Sequence, residues 1–244
     1  MITQSRKTVK GIDLKTPKLL EPPPRVTVGT QPSKLYVVCV WWGTAYSKKY
    51  VEHLRNSIKR NLSIPYTFFC LTDHKSVKID DVVMLPILDN STKTWWAKVC
   101  LFRPQLFDKD ARILYLDLDV VVTGSLNTLA CVQEPFCMIE NYGPNKGHAA
   151  HNSSVMVWTP TPETDKIFTQ FSPDVMKELH GDQCYIWRVR RDNIHDYPKN
   201  WVVSYKYEKH SQWHHADKDT CVYVFHGEPK PHKVKDAIIK RNWV

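Results

Sequence analysis

The feature that most constrains this chain is the run Ile113-Leu114-Tyr115-Leu116-Asp117-Leu118-Asp119-Val120-Val121-Val122. Ten residues of β-type, apolar character interrupted only by two carboxylates read as a buried strand that carries its acids to one end. Alternate residues of a strand face the same side, so the pattern puts Asp117 and Asp119 together and Leu118 opposite. Two like charges held close raise one pKa unless a positive group lies between them. A divalent cation is the common solution, and hard carboxylate oxygens suit Mg²⁺ or Mn²⁺. An Asp-x-Asp pair that merely caps a turn is the plainer alternative. The apolar lead-in favours the metal.

The surrounding pattern places this strand in an α/β sheet. Leu35 to Trp42 reads as a buried strand, and Tyr46 to Asn61 as a helix with Tyr50, Leu54 and Ile58 on one face. Tyr66–Leu71 and Val82–Leu85 follow as strands, and Trp95–Leu106 has helical spacing limited by Pro104. Beyond the carboxylates, Phe136–Glu140, Val155–Trp158 and Thr220–Phe225 read as strands. Pro162–Phe171 and Asp182–Arg190 read as helices, and Asn141–Asn152 as a loop rich in Gly, Asn and His. Alternating strands and helices predict a single-domain, Rossmann-like mixed sheet flanked by helices. Ligands of such sheets bind beyond the carboxyl ends of the strands.

A length of 244 residues suits one such domain with short appendages. Residues 1–33, which include Pro22-Pro23-Pro24, read as a flexible basic arm, 34–232 as the catalytic domain, and 233–244 as a basic C-terminal segment. The net charge of +9 belongs to the ends: residues 1–34 hold seven Lys/Arg against two acids, and 230–244 hold five against one. The remaining 195 residues carry 22 of each sign, which argues against a basic nucleic-acid face across the domain.

No apolar run approaches the roughly 20 residues of a membrane span, so no integral membrane segment is expected. A cytoplasmic protein is the default. The seven cysteines (39, 70, 100, 131, 137, 184 and 221) show no Cys-x-x-Cys pair and read as reduced, buried thiols. Asn-x-Ser/Thr matches at Asn61, Asn90 and Asn152 carry no weight in that setting.

Five motifs in order carry a family resemblance. They are Trp95-Trp96-Ala97-Lys98, Tyr115 to Val122, Asn152-Ser153-Ser154-Val155-Met156-Val157, Gly181-Asp182-Gln183 and His226-Gly227-Glu228-Pro229-Lys230-Pro231. Together they resemble nucleotide-sugar glycosyltransferases of the glycosyltransferase A fold, nearest to family 8 and its relatives, over about residues 35–232. The resemblance implies a hexosyltransferase-like enzyme that takes a nucleoside-diphosphate sugar as donor. It also implies that His226 joins Asp117 and Asp119 as third metal ligand, a set somewhat better suited to Mn²⁺ than to Mg²⁺, with a packed core histidine at the end of a strand as the alternative. The cation would stabilise the departing diphosphate. Gly227 would let the backbone approach a phosphate, and Lys230 would add charge there.

The remaining site residues also follow from the resemblance. Lys98 matches a position, often arginine, that contacts the diphosphate or donor sugar; a solvated helix lysine is the alternative. Trp41, Gly43, Thr44 and Tyr46 match the base and ribose site, with a core role for Trp41 or Trp42 equally open, and Thr72-Asp73 is a weaker base contact. Asn152 and Ser153 match donor-sugar contacts. Asp182 and Gln183 match the catalytic region, with Asp182 as general base in an inverting enzyme or as a sugar-orienting group, with Gln183 near the anomeric face, in a retaining one. Asp182 also suits a helix cap after Gly181.

The chain departs from the family pattern after His226. Its lysine comes two residues early, and Pro231 is followed by His232 where the family has tryptophan. The His210–His215 stretch, with Trp213, Asp217 and Asp219, fits no metal-ligand spacing and reads as a surface loop. Two rivals remain open: a haloacid-dehalogenase-type phosphatase with Asp117 as nucleophile, and a non-catalytic sugar-nucleotide binder. The acceptor is a glycan by preference, with protein and modified DNA as alternatives.

Overall fold

Strand β1 (Leu35–Trp41) runs through the middle of the molecule, buried on both faces as its unbroken apolar sequence requires. The structure, a computed structural model, describes residues 26–88, 92–142, 150–208 and 216–244. From β1 the chain enters α1 (Lys48–Asn61), which buries Val51, Leu54 and Ile58 along one stripe. It returns as β2 (Thr67–Thr72), parallel to β1, and then β3 (Val83–Pro86), parallel to β2. A 3-10 helix (Thr94–Phe102) crosses to β4 (Arg112–Leu116), which pairs in parallel with the other side of β1.

The second half adds β5 (Val121–Val122), α2 (Asn127–Ala130), β6 (Phe136–Glu140), β7 (His151–Trp158), α3 (Pro162–Thr169), α4 (Val175–Glu178) and α5 (Asp182–Arg190). These are followed by β8 (His195–Asp196), β9 (Val202–Ser204), β10 (Val222–Val224) and α6 (Ala237–Asn242). The main sheet has the order β3-β2-β1-β4-β7-β6-β8, with β7 antiparallel to both neighbours. A small sheet, β5-β10-β9, stands apart from it. This is the mixed α/β sheet flanked by helices that the sequence predicts.

One apolar layer joins α1 to Val37, Cys39, Leu114 and Leu116. On the opposite face the 3-10 helix, α3 and α5 cover Val38, Ile113, Tyr115 and Met156. Residues 27–29 pair with 131–134, through Gly29 N–H to Cys131 O and Gln133 N–H to Thr27 O, both 2.9 Å. At the other end Ile239 and Trp243 pack with Val121, Tyr223 and Phe225. No helix of the described residues is long and apolar enough to cross a membrane. All seven cysteines are buried, and none forms a disulfide.

Three expectations are corrected. The run Ile113–Val122 is two strands rather than one: β4 ends at Leu116, residues 117–120 turn, and β5 belongs to the small sheet. Asp117 N–H still bonds Ser154 O on β7 at 2.9 Å, while Val120 N–H turns back to Asp117 O at 3.4 Å. Both strands are buried on both faces, so the sequence shows no change of period where they part. Trp95–Leu106 is a 3-10 helix ending at Phe102, and its residues from Trp96 to Phe102 are all buried. Strand β7 starts four residues before Val155, so His151 and Asn152 belong to it rather than to a loop. Asn90, most of the 141–152 loop and the 210–215 histidine stretch lie outside the described residues.

Candidate active site

The turn after β4 gathers the charged groups. Asp117 Oδ1 accepts from Tyr115 Oη at 2.5 Å and lies 3.1 Å from Lys98 Nζ. Lys98 Nζ also lies 3.1 Å from Asp182 Oδ2 and donates to Ser153 Oγ at 3.0 Å. Ser153 Oγ in turn donates to Asp182 Oδ2 at 2.6 Å. The lysine is therefore no solvated helix residue: it is 5% exposed and clamps two carboxylates together. Burial opposes its charge, yet Asp117 and Asp182 hold its pKa above the ordinary lysine value.

Asp119 has its own pair of donors. Its Oδ2 accepts from Lys230 Nζ at 2.6 Å and from Tyr46 Oη at 2.8 Å. Burial, and then the charge of Asp117, push the Asp119 carboxyl above the usual range, against the pull of Lys230. The Tyr46 phenol is pushed up by burial and by Asp119, so it remains a donor. Lys230 lies 5.4 Å over the Tyr46 ring. Each aspartate thus has one oxygen fixed by a tyrosine and a lysine. Nothing bonds Asp117 Oδ2 or Asp119 Oδ1 among the described residues.

His226 follows β10 and stacks on Tyr142 at 5.5 Å, with Tyr207 at 5.3 Å. Its Nε2 is 2.6 Å from Ser204 Oγ. Burial, then Lys206 and Lys230, lower its pKa to about 4, which keeps the imidazole neutral at physiological pH. Among the described residues no group of three or more His, Cys, Asp and Glu side chains lies close enough to hold a metal ion, so His226 stands apart from the two aspartates in this arrangement. Gly227 has φ +70° and nothing within 4 Å of where a Cβ would stand, which leaves its backbone open to approach.

The remaining predicted residues divide into two groups. Asn152 donates to Gln183 Oε1 at 3.4 Å, and its own Oδ1 takes Ser154 N–H at 2.9 Å. Asp182 is the first residue of α5 rather than its cap, which is Gly181. Trp41 is buried, stacks on His74 at 3.9 Å and donates to Tyr46 O at 2.8 Å, which is the core role of the two open to it. Asp73 accepts Gly43 N–H at 3.1 Å, holding the loop that leaves Thr44 exposed. Sequence reasoning missed Tyr115, Ser204 and Tyr142. Tyr115 was detectable in principle, since Tyr115 and Asp117 are two apart beside a carboxylate pair.

The mixed sheet and its flanking helices recur in solved structures. Over 86% of its length, at 15% identity and a TM-score of 0.62, the chain is similar to the glycosyltransferase GlyE of Streptococcus pneumoniae TIGR4. This is the glycosyltransferase A fold. The chain spans 60% of the length of GlyE. It is also similar to an active-site mutant of LgtC, over 84% of this chain and 93% of that one, at 13% identity and a TM-score of 0.61. Mouse xyloside xylosyltransferase 1 is similar over 81% and 98% respectively, at 10% identity and a TM-score of 0.52. No family model and no curated protein matches the sequence.

Proposed function

We propose that this chain is a metal-dependent glycosyltransferase that moves a sugar from a nucleoside-diphosphate sugar to an acceptor hydroxyl. The observation that carries the reading is the Asp117–Asp119 pair at the end of β4, each carboxylate braced by a lysine and a tyrosine, in a glycosyltransferase A core. The donor atoms suit Mn²⁺ or Mg²⁺: among the described residues nothing bonds Asp117 Oδ2 or Asp119 Oδ1, and His226 holds a neutral imidazole oriented through Ser204. Asp117 and Asp119 would hold the ion, with His226 joining them only where its imidazole is brought toward the pair, and the bound ion would neutralise the diphosphate as it leaves.

The chain's own groups have distinct tasks in this reading. Lys230 moves from Asp119 to a phosphate oxygen once the carboxylates have another counter-charge, and Gly227 lets the backbone approach the same phosphates. Lys98 keeps Asp117 and Asp182 in one place and adds its charge beneath the donor. Asp182, its Oδ2 already engaged by Lys98 and Ser153, is suited to orienting a sugar hydroxyl. Gln183, tied to Asn152, faces the same cavity. Thr44 and Tyr46, at the positions that resemble the base and ribose site, would contact the nucleoside. Seven buried cysteines without a disulfide suit a cytoplasmic setting.

Calorimetric titration of nucleoside diphosphates in the presence and absence of Mn²⁺ tests the reading. One nucleoside diphosphate should bind with a Mn²⁺-dependent affinity that falls at least roughly tenfold in Asp119→Ala and His226→Ala. Equal affinity in wild type and both variants would sink it.

A further inference from the structure

We propose that Trp95 is the stacking platform of the acceptor site and that the acceptor is a saccharide; this rests on the transferase reading above. Trp95 is 57% exposed, while its neighbour Trp96 is buried in the core. A tryptophan is the largest apolar surface a chain can leave in water, and this one stands at the rim of the site. Its indole stacks on no other ring among the described residues.

The placement is built rather than incidental. Thr94, immediately before it, has φ +58°, a left-handed conformation that a β-branched residue adopts only at a cost. Gly181 lies against the indole edge: a Cβ there would stand 3.1 Å from Trp95 Nε1. A cavity of about 190 Å³ is lined by Trp95, His180, Gly181, Asp182, Gln183 and Cys184. Its lining combines an aromatic ring with a carboxylate, an amide and an imidazole.

That combination matches a sugar ring, which has an apolar C–H face and hydroxyls around its edge. The C–H face packs on the electron-rich indole face, and the hydroxyls reach the polar groups of the lining. A nucleic-acid acceptor would need cations to track its phosphates, and the lining contains no lysine or arginine. The direction of entry separates acceptor from donor. Asp182 is buried and joined through Lys98 to Asp117, so the inner end of the cavity adjoins the diphosphate site. Trp95 lies at the solvent end, where a second substrate arrives.

The test uses the full chain, Mn²⁺ and whichever nucleotide-sugar it cleaves, with Trp95→Ala and Trp95→Phe. Free mono- and disaccharides are assayed as acceptors, alongside a serine/threonine peptide and a single-stranded DNA oligonucleotide. At least one saccharide should accelerate nucleoside diphosphate release. Trp95→Ala should raise that saccharide's KM roughly tenfold while the donor KM moves less than about threefold, and Trp95→Phe should stay within about threefold for both. An unchanged acceptor KM, equal rises for donor and acceptor, or acceleration only by peptide or DNA would each overturn the proposal. Donor cleavage without acceleration by any saccharide also defeats it but leaves the transferase reading standing. No cleavage of any donor defeats the transferase reading itself.

Discussion

Lys98 offers the sharpest structural prediction because one buried cation serves two carboxylates. Its Nζ lies 3.1 Å from both Asp117 and Asp182, and its side chain is 6% exposed, against 7% for Asp182 and 25% for Asp117. At an effective dielectric of about 20, two unit charges about 4 Å apart attract by about 4 kcal/mol, much of it offset by the cost of removing them from water. Lys98→Met keeps the unbranched stem and deletes only the charge. It leaves Asp182 buried without its counter-charge, and removing one partner of a buried pair typically costs about 3–5 kcal/mol. In metal-free buffer, urea denaturation should show a midpoint lowered by roughly 1 M or more at unchanged slope. Adding Asp182→Asn should recover part of the loss, because the stranded charge goes with it. The coupling between the two sites should exceed about 1 kcal/mol. A loss below about 1 kcal/mol, or no recovery in the double variant, would refute the clamp.

Four further outcomes follow from the geometry. Tyr46→Phe removes one donor from the buried Asp119 carboxylate and should cost about 1.5–3 kcal/mol in the same denaturation assay, and no change would contradict the hydrogen bond. A Cβ at Gly124 would stand 2.7 Å from the backbone oxygen of Thr220, so Gly124→Ala should lower stability by about 1–3 kcal/mol, with unchanged stability contradicting the close approach. Burial raises the Cys137 and Cys221 thiols to about 12, so both stay protonated at neutral pH; Ellman's reagent at pH 8 should label these two only as fast as the protein unfolds. Rapid labelling of either cysteine would contradict that burial. Lys230→Met should weaken binding of the preferred nucleoside diphosphate by roughly tenfold, read by calorimetry, if its charge moves from Asp119 to a phosphate, and full affinity would remove that role.

The fold was legible where burial has a period. Helix α1 shows its stripe through Val51, Leu54 and Ile58, and β1 its double-sided burial, so the sheet class followed from the sequence. It was not legible where everything is buried. The change of sheet between Leu116 and Val121 leaves no mark in an apolar run, and the 3-10 helix, buried from Trp96 to Phe102, differs from an α-helix only in hydrogen bonding. At the site, Asp117, Asp119, Lys98, Asp182 and Lys230 were all identifiable as chemical types at matched positions. Their partners were not: that Lys98 clamps Asp117 to Asp182, or that Tyr46 reaches Asp119 across 73 residues, depends on tertiary contacts that no local pattern encodes. Trp41, open between a base platform and a core role, has His74 over its ring, again a tertiary contact that no local pattern encodes.

The most direct measurement of the central claim is incubation of the purified protein with Mn²⁺ and a panel of nucleotide-sugars, reading free nucleoside diphosphate, with Asp119→Ala in parallel. Such enzymes slowly hydrolyse their donor without an acceptor, so the acceptor need not be known. The account predicts release from one donor, dependent on Mn²⁺ and lost in the variant. Release from none, together with phosphate release from simple phosphomonoesters, would contradict it and favour a phosphatase.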